Sequence, residues 1–228
     1  MKGLELAKRL YEERARKLFE NELPDLIPQM AVGLVGEGSE CFGFDDEISR
    51  DHDWGPAFCI WLPQEVLAAN NGRLDSVLAE LPRQFEGFEV RMTDPRLRMG
   101  RVGPLPLELF YQRFLNVPRA PENLMEWRRI PEQYLAVATN GEVFQDNLGT
   151  FSAIREKLLA FYPEDLRLKK IAARIMAASQ AGQYNLPRML RRCDFVASDI
   201  CRARFIEAVL STVFLINRKY VPFYKWAF

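Results

Sequence analysis

The chain opens on a helical pattern. Leu4, Leu6, Leu10, Tyr11, Ala15, Leu18 and Phe19 recur at helical spacing among charged positions, so residues 2–21 are expected to form an amphipathic helix. Pro24 and Pro28 end it, because proline lacks the donor a helix interior needs. "MAVGLVG" is a short apolar run closed by glycines, the pattern of a buried strand. "WGPAFCIWL" (54–62) is aromatic and β-branched and predicts a second strand. Residues 63–82 return to helical spacing, with a break expected at Asn70-Asn71-Gly72. "FEVRMTD" (88–94) alternates and reads as a strand. "GRVGPLPLEL" (100–109), with two prolines, reads as an edge strand or a loop.

Residues 116–150 read as irregular to mixed, with the Pro-rich "NVPRAPENL" and a turn-flanked strand in "GEVFQDNLGTF". From residue 151 the spacing is helical throughout. The pattern therefore predicts an α+β fold: an α/β domain over residues 1–150, then a helical domain over 151–228. The apolar stretch "FIEAVLSTVFLIN" (205–217) is too short to span a bilayer and contains Glu207, so it reads as a buried helix. The aromatic "VPFYKWAF" reads either as a tail packed on the body or as the end of a fragment.

Charge narrows the partners. Lys+Arg and Asp+Glu both number 31, and a chain that tracks a nucleic-acid backbone is usually basic, so a nucleic-acid partner is not expected. Cys41, Cys59, Cys193 and Cys201 contain no C-x-x-C pair, and the single histidine, His52, cannot complete a zinc set with them. They read as reduced structural thiols. With no apolar signal region at the N-terminus, the expected location is cytoplasmic, without membrane attachment.

One stretch stands apart: "GLVGEGSECFGFDDEISRDHDWGP" (33–56). Gly38-Ser39 directly follows the first expected strand. Such a turn exposes successive N–H groups and a hydroxyl to phosphate oxygens, though a plain turn has the same letters. Asp51 and Asp53 lie two apart where the second strand begins, so in extended backbone both face one side, with His52 and Trp54 on the other. Two carboxylates so close repel unless a cation lies between them, and Mg²⁺ takes such a pair and completes its shell with phosphates and water. The bland reading of the same residues is a solvated acidic loop. Asp45 and Asp46 read as turn caps or as supports for the pair, and Arg50 as its counter-charge or a phosphate contact. In the helical part, "QYNLPRMLRR" offers Arg188 as a phosphate or acceptor contact, Asp194 and Asp199 are candidate bases, and Lys225 has the reach to meet a triphosphate.

"GSECFGFDDEISRDHDW" resembles the signature of the nucleotidyltransferase superfamily, a Gly-Ser followed by an Asp-x-Asp on the next strand. "GFDDEISRDHDWGP", "GEVFQDNLGTFSAIREKL", "YPEDLRLKKIA", "SQAGQYNLPRMLRR" and "YVPFYKW" are similar to the bacterial DUF4037 family, from about residue 30 onward. The resemblance implies a nucleotidyltransferase-type mixed sheet with flanking helices, followed by a C-terminal bundle like that of aminoglycoside-type nucleotidyltransferases. It implies transfer of a nucleoside monophosphate, expected to be AMP, from an NTP, expected to be ATP, to a hydroxyl of a small molecule or a protein. Gly38 and Ser39 would hold the phosphates, and Asp51 and Asp53 would hold Mg²⁺ or Mn²⁺ as catalytic ligands. The superfamily's third carboxylate falls on a later strand, and Glu89 in "FEV" and Glu108 in "LEL" both fit locally. The alternative is that "RVGPL" (101–105) occupies that strand with no acid. In that case the chain is a catalytically impaired nucleotide- or metal-binding module.

Overall fold

The computed structural model describes residues 1–50 and 54–227. The N-terminal amphipathic segment forms α1 (Gly3–Leu10) and α2 (Arg16–Glu22), joined by a wide π-type turn over Tyr11–Ala15. β1 (Ala31–Leu34) follows, then the short helix α3 (Ser39–Phe42). β2 (Cys59–Leu62) is shorter than the 54–62 run predicted.

α4 (Gln64–Ala79) runs unbroken through Asn70-Asn71-Gly72, where a break was expected. The polar run satisfies itself within the helix: Asn70 Nδ2 donates to the Val66 carbonyl, and Ser76 Oγ to that of Gly72, each at 2.9 Å. Leu67, Leu74, Val77 and Leu78 keep the inner face buried. Arg73 anchors the outer face to both Asp25 oxygens at 2.8 Å.

The strand expected over 88–94 is regular only in β4 (Phe88–Glu89), which forms a hairpin with β3 (Gln84–Phe85) across Glu86-Gly87, both at positive φ. Beyond it the chain runs irregularly beside residues 56–58, with Arg91 N–H donating to the Pro56 carbonyl at 3.2 Å. The short helix α5 (Pro95–Arg98), capped by Asp94, leads to β5 (Gly103–Pro106). "LEL" is not part of that strand. Pro106 caps α6 (Leu107–Leu115), so Glu108 lies in a first helical turn.

The region read as irregular before residue 140 contains α7 (Leu124–Arg129) and α8 (Glu132–Thr139), short helices obscured by flanking prolines; Asn123 caps the first through the Met125 and Glu126 N–H groups. β6 (Glu142–Asp146) and α9 (Thr150–Leu159) follow, then α10 (Glu164–Ala178), α11 (Leu186–Arg191) and α12 (Phe195–Ile216).

The fold is mixed α and β, with a small mixed sheet in the order β5-β2-β1-β6. β1 is antiparallel to both neighbours, Val32 facing Ile60 on one side and Ala31 facing Asp146 on the other; β5 runs parallel to β2. The sheet belongs to a unit made of Met1–Pro121 and Val137–Leu159; Glu122–Ala136 and Ala160–Phe228 make the second. Residues 122–136, read as part of the first domain, thus belong to the second unit, and 151–159 to the first.

Two aromatic clusters fill the first unit. Tyr11, Phe19, Phe58 and Phe144 pack around the N-terminal helices, and Trp61 stacks on Phe151 at 3.9 Å beside Phe110. In the second unit α10 and α12 run antiparallel, since Arg167 near the start of α10 donates to the Leu215 carbonyl near the end of α12. α12 is not the buried helix expected. It buries Ser198, Ala208, Ser211 and Leu215, while Ile206, Val213 and Ile216 are half-exposed, because its packed side is a single stripe and its apolar residues lie all round. Tyr220 packs against Phe161 and Tyr162.

Candidate functional site

The predicted phosphate turn lies where β1 ends. Val35 leads into Gly36-Glu37-Gly38, and Ser39 begins α3. Gly38 is buried at φ +141°, a backbone conformation that favours glycine, and a Cβ there would also press on the end of the Glu40 side chain, 2.5 Å away. Glu40 itself is 6% exposed. Burial raises its carboxyl above the usual range, while its backbone hydrogen bond and the charges of Arg91 and Arg101 pull it back.

Two arginines meet at Glu37. Arg101 Nη2 donates to its carbonyl at 2.7 Å, and Arg113 Nη2 to its carboxylate at 2.5 Å. Val35, Gly36, Glu37, Phe110 and these arginines line a small cleft. From the turn between α8 and β6, far along the chain, Asn140 reaches Gly36: its Oδ1 accepts from Gly36 N–H at 2.9 Å and its Nδ2 donates to the Gly36 carbonyl at 2.7 Å.

The loop after α3 is tied to the start of the chain. Asp45 is 2% exposed and accepts from Gly3 N–H at 2.6 Å and from Trp54 Nε1 at 3.1 Å, while Lys2 donates to the Gly43 and Asp45 carbonyls. Asp45 thereby supplies the cap α1 lacks locally. Asp46 closes a turn, accepting from the N–H of Ser49 and Ile48 and from the Ser49 hydroxyl; these bonds, the Ser49 N–H first, hold its carboxyl below the usual range. Arg50 is exposed, donates to the Met1 carbonyl and lies 4.7 Å over the Trp54 ring.

Asp51, His52 and Asp53 lie outside the described residues. Among the described residues no group of three His, Cys, Asp or Glu side chains is placed to hold a metal. The chain re-enters at Trp54 and Gly55, where a Cβ would lie 3.1 Å from the Glu89 carbonyl, so β4 borders the segment that leaves the Asp-x-Asp. Glu89 is exposed there. Glu108 is elsewhere: its carboxylate accepts from Gln64 N–H, the first residue of α4, at 3.1 Å. β5, the strand beside β2, carries no carboxylate.

The remaining candidates belong to the second unit. Arg188 and Lys225 are exposed and lie over the rings of Tyr184 and Trp226. Asp194 caps α12 through Ala197 N–H, and Asp199 pairs with Arg202. All four cysteines are free thiols, and burial pushes those of Cys41 and Cys59 up, the latter to about 12. Among the described residues no helix is long and apolar enough to cross a membrane.

Sequence reasoning missed Asn140, Glu37 with its two arginines, and the buried Glu40. The "NG" before β6 was the one visible signal, and it reads as an ordinary turn.

Residues 127–227 match the model of a family described as a domain of unknown function, DUF4037. No curated protein and no solved structure matches the chain significantly.

Proposed function

We propose that this chain, whose residues 127–227 match the DUF4037 family model, is a nucleotidyltransferase that moves a nucleoside monophosphate, AMP from ATP, to a hydroxyl of a small molecule or protein. The observation that carries this reading is the Gly36–Ser39 turn. It links β1 to α3, holds Gly38 in a backbone conformation that disfavours any side chain, and is followed in sequence by the Asp-x-Asp that leads into β2, the antiparallel neighbour of β1. Asp51 and Asp53 would hold Mg²⁺ or Mn²⁺, which when bound supplies charge neutralisation at the phosphates. The turn's backbone N–H groups would orient the phosphate chain, and Arg101 and Arg113 stand beside it. The acceptor hydroxyl would give its proton to a carboxylate base, its oxygen would bond to the α-phosphorus, the bond to the bridging oxygen would break, and pyrophosphate would leave. Positioning supplies most of the rate. Of the two candidate third carboxylates, Glu89 fits better, since its strand borders Gly55 while the Glu108 carboxylate serves α4.

The test is thermal shift with ATP and Mg²⁺ on the wild type and on the Asp51→Ala, Asp53→Ala double variant. Stabilisation of the wild type alone is expected, and equal shifts sink the site assignment. The acid-free β5 favours a second reading, a nucleotide-binding module without turnover. Binding without pyrophosphate release across a panel of hydroxylated acceptors would select it.

A further inference from the structure

The phosphate turn is held from outside itself. Asn140 exchanges two hydrogen bonds with the Gly36 backbone, and the next residue, Gly141, donates its N–H to the Cys41 carbonyl at 2.8 Å. One turn thus grips the loop at both ends, before Gly38-Ser39 and after it. That turn is in its own way fixed by Arg155 on α9, whose Nη1 donates to the Asn140 carbonyl at 2.8 Å and Nη2 to that of Gly141 at 3.2 Å.

Arg155 is a half-buried cation that no carboxylate pairs with among the described residues. Burial lowers its pKa, and the Tyr111 phenol is its one counteracting neighbour. Structural guanidiniums at such depth ordinarily meet a carboxylate. Here the guanidinium is committed to two carbonyls directly behind a glycine-rich loop whose own carboxylate, that of Glu37, is paired with Arg113 instead.

A loop with glycines at φ +135° and +141° has much conformational freedom to lose, and ordering it on binding would weaken affinity. We infer that Asn140 and Arg155 are positioning residues that hold Gly36–Ser39 in the conformation that presents the N–H groups after Gly36 to an anion, the phosphate chain of a nucleotide. The identity of the anion rests on the function proposed above; the clamp does not.

Amide hydrogen exchange on the free protein, paired with calorimetric titration of MgATP and of inorganic tripolyphosphate, tests both halves. Asn140→Ala should speed exchange across residues 36–41 at least tenfold while α4 is unchanged, and weaken both ligands at least tenfold. Asn140→Asp keeps the acceptor for Gly36 N–H but adds negative charge, so it should restore part of the protection and none of the affinity. Arg155→Lys keeps the charge but cannot bridge two carbonyls, so it should fall between wild type and Arg155→Met. A purely structural role would lower the melting temperature without this ordering. Unchanged exchange in Asn140→Ala overturns the clamp. Faster exchange with wild-type affinity overturns its role in binding while the proposed function stands. A wild type that binds neither ligand overturns the proposed function and the anion together, and the exchange data still decide the clamp. Should Asn140→Ala not fold, Arg155→Lys carries the same comparison.

Discussion

A Cβ on Gly141 would lie 1.9 Å from the Leu34 carbonyl oxygen. The turn before β6 therefore sits directly on the end of β1, and at φ +59° Gly141 is also in the left-handed region. Gly141→Ala meets fixed backbone rather than a mobile side chain. Strain and overpacking together should cost about 2–4 kcal/mol. Urea denaturation measures it, and a loss below about 1 kcal/mol would mean the two segments part easily.

Asp45 gives a test that separates stability from chemistry. Its carboxylate is buried among Gly3 N–H, Trp54 Nε1 and, at 3.5 Å, Lys2 Nζ. Asp45→Ala strands one buried and one part-buried donor and should destabilise by about 1–3 kcal/mol. Mg²⁺-dependent nucleotide binding by the folded variant should persist. A variant of normal stability that no longer binds would move Asp45 from the α1 cap to the metal.

Glu89 and Glu108 should separate cleanly. Glu108→Ala removes a remote cap from α4, whose own N-cap residue is Pro63, and should cost about 0.5–1 kcal/mol with turnover unchanged. Glu89→Gln should leave stability alone and lower kcat about 10²–10⁴-fold, the usual worth of a positioned carboxylate. Pyrophosphate release reads both, and the reverse pattern would exchange their roles.

Glu132 contributes a buried, pH-dependent ion cluster to the second unit. Burial alone would raise its carboxyl, but the Ser211 hydroxyl at 2.6 Å, Lys170 and Arg174 outweigh it and hold the group below its usual 4.5. A folded value below the unfolded one contributes stability above pH 4.5, and that stability is lost as pH falls through the folded value. Glu132→Gln should cost about 2 kcal/mol near pH 7. That is less than splitting a fully buried pair, because the Arg174 side chain is 44% exposed. The gap between wild type and variant should close below pH 4.5, and a gap that widens on acidification would contradict the sign.

Local rules recovered what local rules control. β1, β6 and the N-terminal helix were legible because their apolar periods and closing glycines lie within a few residues. The expected break in α4 was not real, since Asn70 and Ser76 bond back into the helix instead of stopping it. Glu108 was misplaced because Pro106 ends a strand and caps a helix with no residue between. The wide turn at Tyr11–Ala15 leaves no mark in the apolar spacing. The Gly36–Ser39 turn was visible in the sequence, but its clamp was not: the Asn140 contact joins residues 104 positions apart, and no spacing rule reaches that far.

The same distance shapes how the first unit assembles. Ala31 pairs with Asp146, so one flank of β1 stays open until the chain has been made through β6. A nascent or truncated chain that stops short of that strand exposes the backbone donors and acceptors of an apolar segment, a template for pairing with another molecule. Closure of so long a loop is also slow. Cutting away the segment that matches the family model, from residue 127, would remove that closing strand, and expressing 127–227 alone would carry it off without its sheet.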